Sequence, residues 1–532
     1  MLPVAEAPPT SRHPLSRLRL PRHGLLLIAF ALALACRAYG VSANGFSEDE
    51  VAKLRAIDAY KAGDFSANAE HPMLMKLLIW GSVEAAREWN GRVAAPLAIS
   101  PEAALRMPNV LAGAATVIAV YGAATLLFGP AVAVLAAFLI AFDPTIISIN
   151  RIGKEDTLLM LFFLLAVWSY EYAKRVGAAD PAGAQRWYTL AGACFGLMLA
   201  SKYMPHLFGL YGLYNVALQR HAGRNVPDRW RYHAAMLVAF VAANFIVLLP
   251  ETWRYAADYV RGGHSTHHGY LYDGQLYVNA ATIVLWGVPW TYYLRLIVTK
   301  TPVPVLAGAA AGLWLLAVRR RERGFVWLRV FLVIQMIGYA LTAAKFQRYA
   351  LPLLIVVNML AAAGLAGAGG WLRQRLGEAG RLPLVAAGAC AVVTISAASA
   401  WAAAPFYSIH RNLLGAAQAP AATIFPEEAY DFGVREAVHA IAAVAAPGAT
   451  IVSDAPMVVE HYLSQLSRRD LNVDALSQDG LHGRGEAWVL VQESHIYFEN
   501  AGIVAQLRQS QRPWREYRLG GTVVLEIYVI RR

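Results

Sequence analysis

Apolar residues run along this chain in long blocks separated by short polar loops that carry most of the charge. Many blocks are about 18 to 22 residues long, the length a helix needs to cross ~30 Å of hydrocarbon. They predict spans at 24–41, 107–128, 131–149, 157–173, 187–200, 205–218, 233–249, 303–318, 325–343, 350–368 and 382–403. The block at 277–298 reads differently, because Trp286, Trp290, Tyr292 and Tyr293 crowd around Pro289, and Trp and Tyr favour the headgroup zone. It is expected to be interfacial or re-entrant. Between the first two spans, 51–61 has the spacing of a short amphipathic helix lying along the interface, and 73–84 is too broken to cross. Beyond 405 the pattern changes to short alternating runs at 450–453, 487–491 and 523–529, which predict strands, with a helix at 427–445. The expected architecture is mainly α: a cytoplasmic tail (1–23), a polytopic bundle of about eleven spans (24–404) and a small extracytoplasmic α/β domain (405–532).

Composition agrees. Of 532 residues, 57% are hydrophobic and 15% charged, well below the roughly 25% charged residues of soluble domains. The net charge of +12 sits largely in loops between apolar blocks, so it reads as a topology signal rather than a nucleic-acid footprint. Arg12, Arg17, Arg19 and Arg22 ahead of the first span put the N-terminus inside and the 44–76 loop outside. If 277–298 crossed, the Arg319-Arg320-Arg321-Glu322-Arg323 run would lie outside, against the charge bias. Cys36, Cys194 and Cys390 all fall in apolar blocks and offer no disulfide framework or metal site. The first apolar run is long and lacks a small-residue cleavage site, so it reads as an uncleaved span rather than a signal peptide.

This topology gathers unusual polar residues on the outer face: Asp49 and Glu50, Glu70 and His71, Arg151, Lys154 and Asp156, Lys202, 264–268, Lys345 and Arg348. Cations on that side oppose the positive-inside rule and call for another explanation. Basic groups suit a phosphate, and a neighbouring carboxylate suits proton abstraction from a hydroxyl. Each has a plainer explanation. Glu48, Asp49 and Glu50 suit the first turn of a helix, Arg151 and Asp156 suit a charge pair, and Lys202 and Arg348 suit interfacial snorkelling. His264, His267 and His268 lack fixed ligand spacing and read as a polar loop. Gly153-Lys154 lacks the upstream glycines of a P-loop.

Taken in order, several of these residues resemble a known family. Phe46-Ser47-Glu48-Asp49-Glu50 followed by His71-Pro72-Met73-Leu74-Met75-Lys76 is similar to the Asp-Glu and His-Pro-Pro-Leu-x-Lys pattern of protein O-mannosyltransferases. Arg151-Ile152-x-x-x-Asp156 and Ser201-Lys202 resemble further motifs of that family, and Arg348-Tyr349-Ala350-Leu351-Pro352 resembles the Arg-Tyr-x-x-Pro of GT-C glycosyltransferases. Met73 replaces the second proline, and no β-trefoil insertion precedes 303–318. The resemblance therefore points to a bacterial relative in glycosyltransferase family 39, or to the related lipid A aminoarabinose transferases.

The resemblance implies an inverting enzyme that moves a mannose-like or related sugar from a polyprenyl-phosphate donor to a hydroxyl of a protein, lipid or glycan. It implies Asp49 as base with Glu50 and Asp156 in the acidic site, and His71, Lys76, Arg151, Lys202 and Arg348 as substrate-binding residues. Glu48 drops out of the candidates. Such a donor calls for no cofactor and no metal. The expected place is a bacterial inner membrane, with the site and C-terminus periplasmic. A flippase or transporter is the alternative of another class, but it would place charges near mid-membrane, whereas these lie at span ends. A tail that senses ligands while the bundle merely anchors it would not need so many spans.

Overall fold

The computed structural model describes residues 22–204, 206–222, 227–261, 269–278, 287–342, 345–375, 378–418, 425, 428–477 and 485–531. The histidine run at 264–268, residues 279–286 and nearly all of the N-terminal tail lie outside them. The first helix, α1 (Arg22–Ala38), leads into α2 (Glu48–Lys61) and α3 (Met73–Asn90). The bundle continues with α4 (Pro101–Phe128), α5 (Pro130–Ala141), α6 (Pro144–Ile149), α7 (Asp156–Val176), α8 (Pro181–Ser201), α9 (His206–Ala222) and α10 (Arg229–Ala243). Then come α11 (Pro250–Val260), the hairpin β1 (Gly269–Tyr272) and β2 (Gln275–Val278), and α12 (Tyr292–Lys300). It closes with α13 (Val303–Val318), α14 (Arg323–Leu341), α15 (Leu351–Arg375) and α16 (Glu378–Ala403).

Among the described residues, five helices are long and apolar enough to cross a membrane, within 95–128, 156–176, 323–341, 347–375 and 383–403. Three shorter apolar helices accompany them at 23–38, 130–141 and 303–318. Large apolar side chains such as Leu32, Leu313, Trp314, Ile337, Leu384 and Trp401 face outward, as a hydrocarbon solvent allows. The chain is thus built as an integral membrane protein.

Several sequence expectations are corrected. The block at 131–149 is two helices, because Asp143 caps α6 through Ile146 N (3.0 Å) and Pro144 cannot continue α5. Buried Arg37 covers the carbonyls so released, donating to Ile140 O and Ala141 O (3.3 Å each) and to Asn150 Oδ1 (2.9 Å). The block at 233–249 ends as a helix at Ala243, followed by a 3-10 turn at Phe245–Leu248. In its described parts, 277–278 and 287–298, the block at 277–298 holds no membrane-length helix. Its start belongs to β2, whose partner β1 turns at Asp273 and Gly274, both at positive φ, and whose Leu276 packs on the C-terminal region; its end is the nine-residue α12.

The C-terminal region adds α17 (Leu413–Gln418), α18 (Val434–Val444), β3 (Thr450–Ser453), α19 (Pro456–Gln465), β4 (Asn472–Ala475), β5 (Ala487–Gln492), α20 (Ala501–Ser510), β6 (Arg515–Leu519) and β7 (Thr522–Ile530). The strands form one sheet in the order β4-β3-β5-β7-β6, with β3 parallel to both neighbours and β7 antiparallel to both of its own. All residues of β5 are buried, as a central strand requires. The expected helix at 427–445 starts only at Val434, because Gly433 turns the backbone into the left-handed region (φ 87°). One face of the sheet packs on α18 and α19, and that core continues without a break into Phe46, Val51, Ile57 and Met75 of the segment between α1 and α4. The C-terminal region is therefore seated on α2 and α3.

Candidate active site

α2 opens with Ser47 as its cap and Glu48, Asp49 and Glu50 in its first turn, where the helix dipole favours acids. Successive helical residues point about 100° apart, so neighbouring acids meet different surroundings. Glu50 turns inward. It is fully buried and accepts from Arg106 Nε (2.8 Å) and Nη2 (2.7 Å), from Ser47 N (2.9 Å) and from Gly153 N (2.9 Å). Burial alone would favour its neutral form, but the Arg106 guanidinium outweighs it and holds the carboxyl low. A Cβ at 153 would meet Leu105 Cδ2 at 2.4 Å and Glu50 Cγ at 3.4 Å, so any larger residue there must push the Leu105 side chain aside. This clamp leaves Glu50 no open valence and ties the start of α2 to α4 and to the turn before α7.

Asp49 points the other way. Its Oδ2 is in contact with Lys154 Nζ and accepts from Tyr430 OH, while its side chain keeps 29% of its surface exposed. Burial opposes its charge, but Lys154, Arg348 and Lys53 together hold the carboxyl well below the usual carboxylate range. Lys154 sits in the turn that Asn109 fixes, through Nδ2 to Lys154 O (2.7 Å) and to Ile152 O. Burial and the neighbouring Arg348 push its ammonium down to about 8. Beside it, Lys53 and Glu155 form a fully buried pair (3.0 Å). His71 is lowered to about 4 by burial, against the pull of the Glu155 charge.

A second pair lies across the site, where Lys202 Nζ meets Asp156 Oδ1 (2.7 Å) and rests over the Tyr349 ring (4.5 Å). Asp156 Oδ2 is buried with no hydrogen-bond partner. Arg348 lies over the Phe346 and Tyr349 rings (4.6 and 5.4 Å), and its charge reaches Asp49, Asp156 and Lys202. The arrangement is an acidic residue open on one side and faced by Lys53, Lys154 and Arg348, with the Lys202–Asp156 pair coupled to it through the charge of Arg348. It can hold a phosphate and take a proton within one site.

The structure thus brings together Asp49, Asp156, Lys202, Arg348 and, beside Glu155, His71. Glu50 is next to them but enclosed. Lys76 and Arg151 are elsewhere engaged. Lys76, fully buried, donates to Asn68 O (2.6 Å) and His71 O (2.9 Å), and burial pushes it down to about 7. Arg151 donates to Gly40 O (2.5 Å) and lies over Tyr407 (4.9 Å), so the Arg151–Asp156 pair offered above as the plainer explanation does not form, and Lys202 meets that carboxylate instead. Lys53, Arg106, Glu155 and Tyr430 were not foreseen. Lys53 follows Asp49 by one helical turn and Glu155 adjoins Asp156, signals that spacing could have carried; nothing in the sequence ties Tyr430 to Asp49. Among the described residues no three His, Cys, Asp or Glu side chains converge as a metal site would need.

Residues 87–247 match the sequence model of the family described as dolichyl-phosphate-mannose-protein mannosyltransferase. No curated protein matches the chain by sequence. Among solved structures, ArnT from Cupriavidus metallidurans is similar over 95% of this chain and 98% of its own in the apo state (14% identity, TM-score 0.54). The same protein bound to undecaprenyl phosphate gives 13% identity and a TM-score of 0.53 over 95% and 97% of the two chains. The Archaeoglobus fulgidus oligosaccharyltransferase tethered to an acceptor peptide matches at 12% identity and a TM-score of 0.52, over 85% of this chain and 63% of its own. The chain shares the fold of ArnT and of this oligosaccharyltransferase, in keeping with the GT-C architecture that the motif resemblance implies.

Proposed function

We propose that this chain is a membrane glycosyltransferase that moves a sugar from a polyprenyl-phosphate carrier to a hydroxyl acceptor on the outer face of a bacterial inner membrane. The observation that carries the reading is Asp49, a partly exposed carboxylate kept ionised by Lys154, Arg348 and Lys53. In this reaction the acceptor oxygen attacks the sugar C1 and its proton passes to the Asp49 carboxylate. The C1–O bond to phosphate breaks, and polyprenyl phosphate leaves with the electron pair. Lys202 and Arg348 stand where cations would steady the phosphate as its charge grows, and Asp156 holds Lys202 in place. One base suffices for a single displacement, so the product is inverted. Glu50 and Lys76 act by fixing the loop, and Arg151 by fixing the segment after α1.

Two donor classes fit the reading. A mannose-like sugar follows from the family match over 87–247. An aminoarabinose-type sugar destined for lipid A is the alternative that the motif resemblance to the aminoarabinose transferases implies. The test supplies purified protein with radiolabelled polyprenyl-phosphate mannose or aminoarabinose and with membranes as the acceptor source. Transfer by the wild type and loss of about 10³-fold or more in Asp49→Asn is expected. Wild-type rate in that variant overturns Asp49 as base. No transfer from any such donor, together with carrier movement across vesicles, overturns the enzyme in favour of a flippase.

A further inference from the structure

Tyr430 lies 381 residues from Asp49 in sequence, yet its hydroxyl donates to the Asp49 carboxylate. It belongs to a short stretch, 428–431, in which alternate polar side chains are fastened to different parts of the molecule. Glu428, fully buried, pairs with Lys300 at the end of α12 (2.7 Å) and with Arg411 (3.1 Å). Asp431, also buried, accepts from Glu48 N (2.8 Å), from Gln492 Nε2 at the end of β5 (2.7 Å) and pairs with His495 Nε2 (3.0 Å). Tyr430 stands between these two anchors. The stretch therefore straps the bundle, the first turn of α2 and the C-terminal sheet to one another, and its middle residue reaches the proposed base.

We infer that the C-terminal region completes the active site: the strap 428–431 delivers Tyr430 as a positioning residue that fixes the Asp49 carboxylate, with Glu428 and Asp431 as its anchors. This rests on the reading of Asp49 as base. Tyr430 and Lys154 both engage Oδ2, so together they orient the carboxylate and leave Oδ1 to face the acceptor hydroxyl. A donor hydrogen bond also favours the ionised form. Two consequences follow for the reaction. The proton acceptor stays ionised to lower pH, and the carboxylate does not swing away from the attacking oxygen. A tail that only bound acceptor would need no contact with Asp49.

The experiment uses the full chain, the transfer assay above and the variants Tyr430→Phe, Asp431→Asn and, as a control, Glu460→Gln. Glu460 joins the same tail to α2 through an exposed pair with Arg55 (2.7 Å) and touches no site residue. Tyr430→Phe is expected to lower kcat about 10- to 100-fold with KM changed less than about twofold, since one positioned hydrogen bond is lost. Its acid limb should move up by about one pH unit, because Asp49 then keeps only Lys154, Lys53 and Arg348 to favour its charge. Asp431→Asn should move both readouts in the same direction by less, and Glu460→Gln should move neither. Unchanged kcat and acid limb in Tyr430→Phe, beside an inactive Asp49→Asn, overturns this inference and leaves the transferase reading intact. Equal losses in Glu460→Gln would overturn it too, by showing that any loosening of the tail suffices. No transfer by the wild type overturns the underlying reading instead.

Discussion

α7 carries a buried carboxylate near each end, and the two are handled in opposite ways. Near its C-terminal end, Glu171 is fully buried and saturated: Tyr211 OH and Lys174 Nζ each meet Oε1 at 2.7 Å, and Arg323 meets Oε2 at 3.4 Å. Those partners come from α9, α7 itself and α14, and rings of Tyr170, Tyr188 and Tyr232 pack around them. About 22 Å away along the helix, Asp156 has one partner, Lys202, and one buried oxygen with none, in a cluster that also contains the exposed edge of Asp49. A saturated carboxylate joins helices. One with an open valence among several cations is a place for a ligand. Lys53, Lys154, Lys202 and Arg348 gather around Asp49, Glu155 and Asp156, so the site is rich in positive charge and suits an incoming phosphate.

The comparison breaks most sharply if the two ends exchange phenotypes. Asp49→Asn should abolish transfer, by about 10³-fold, with little change in thermal stability. Glu171→Gln should leave kcat per folded molecule within about twofold but cost about 3–5 kcal/mol of stability, because Lys174 and Arg323 lose their shared counter-charge. Lys202→Gln tests the open end differently. It should reduce transfer by about 100-fold and weaken polyprenyl-phosphate binding, read by displacement of a fluorescent carrier analogue. Glu50→Gln sharpens the contrast within three residues of sequence: losing the Arg106 clamp should lower stability by about 3–5 kcal/mol, like Glu171 rather than like Asp49.

Smaller effects lie at the strap and the surface. Burial opposes a charge on His495, but Asp431, with Glu48 and Asp454, raises its imidazole from 6.5 to about 9. The sign follows: the bound proton stabilises the folded form fully below pH 6.5, and that contribution is lost as pH rises through about 9. Stability of the docked tail should therefore fall across this window, and His495→Gln should flatten the fall. Arg55→Ala breaks an exposed pair and should cost no more than about 1 kcal/mol.

Much of this was legible along the chain because membrane solvent imposes strong rules. A run of apolar residues and the caps around it announce a helix, and α4, α7, α13, α14 and α16 fall close to where the pattern puts them. The strands β3, β5 and β7 were legible by alternation. The misreadings share a cause. Composition cannot see where a helix must stop to let a partner in, as Asp143 does between α5 and α6, nor that Leu276 has a protein surface to rest on instead of a lipid one. The Arg151–Asp156 pair, the plainer alternative, is absent because Gly40 O and the Tyr407 ring hold Arg151, while Lys202, 46 residues on, meets the carboxylate.

Sequence alone determined that this is a chain of lipid-length helices with a sheet-forming tail, and that acids and cations collect at the ends of those helices. It also singled out the stretch from Phe46 to Glu50. Tertiary structure alone decided which of those acids is free to react. Asp49 and Glu50 are chemically alike and adjacent, and only the 100° turn between them gives one to Arg106 and the other to the open site. Tyr430 was undecidable from sequence for the same physical reason: a hydroxyl's meaning depends on what it meets, and here that is set by a chain that leaves the membrane and folds back onto its own first loop.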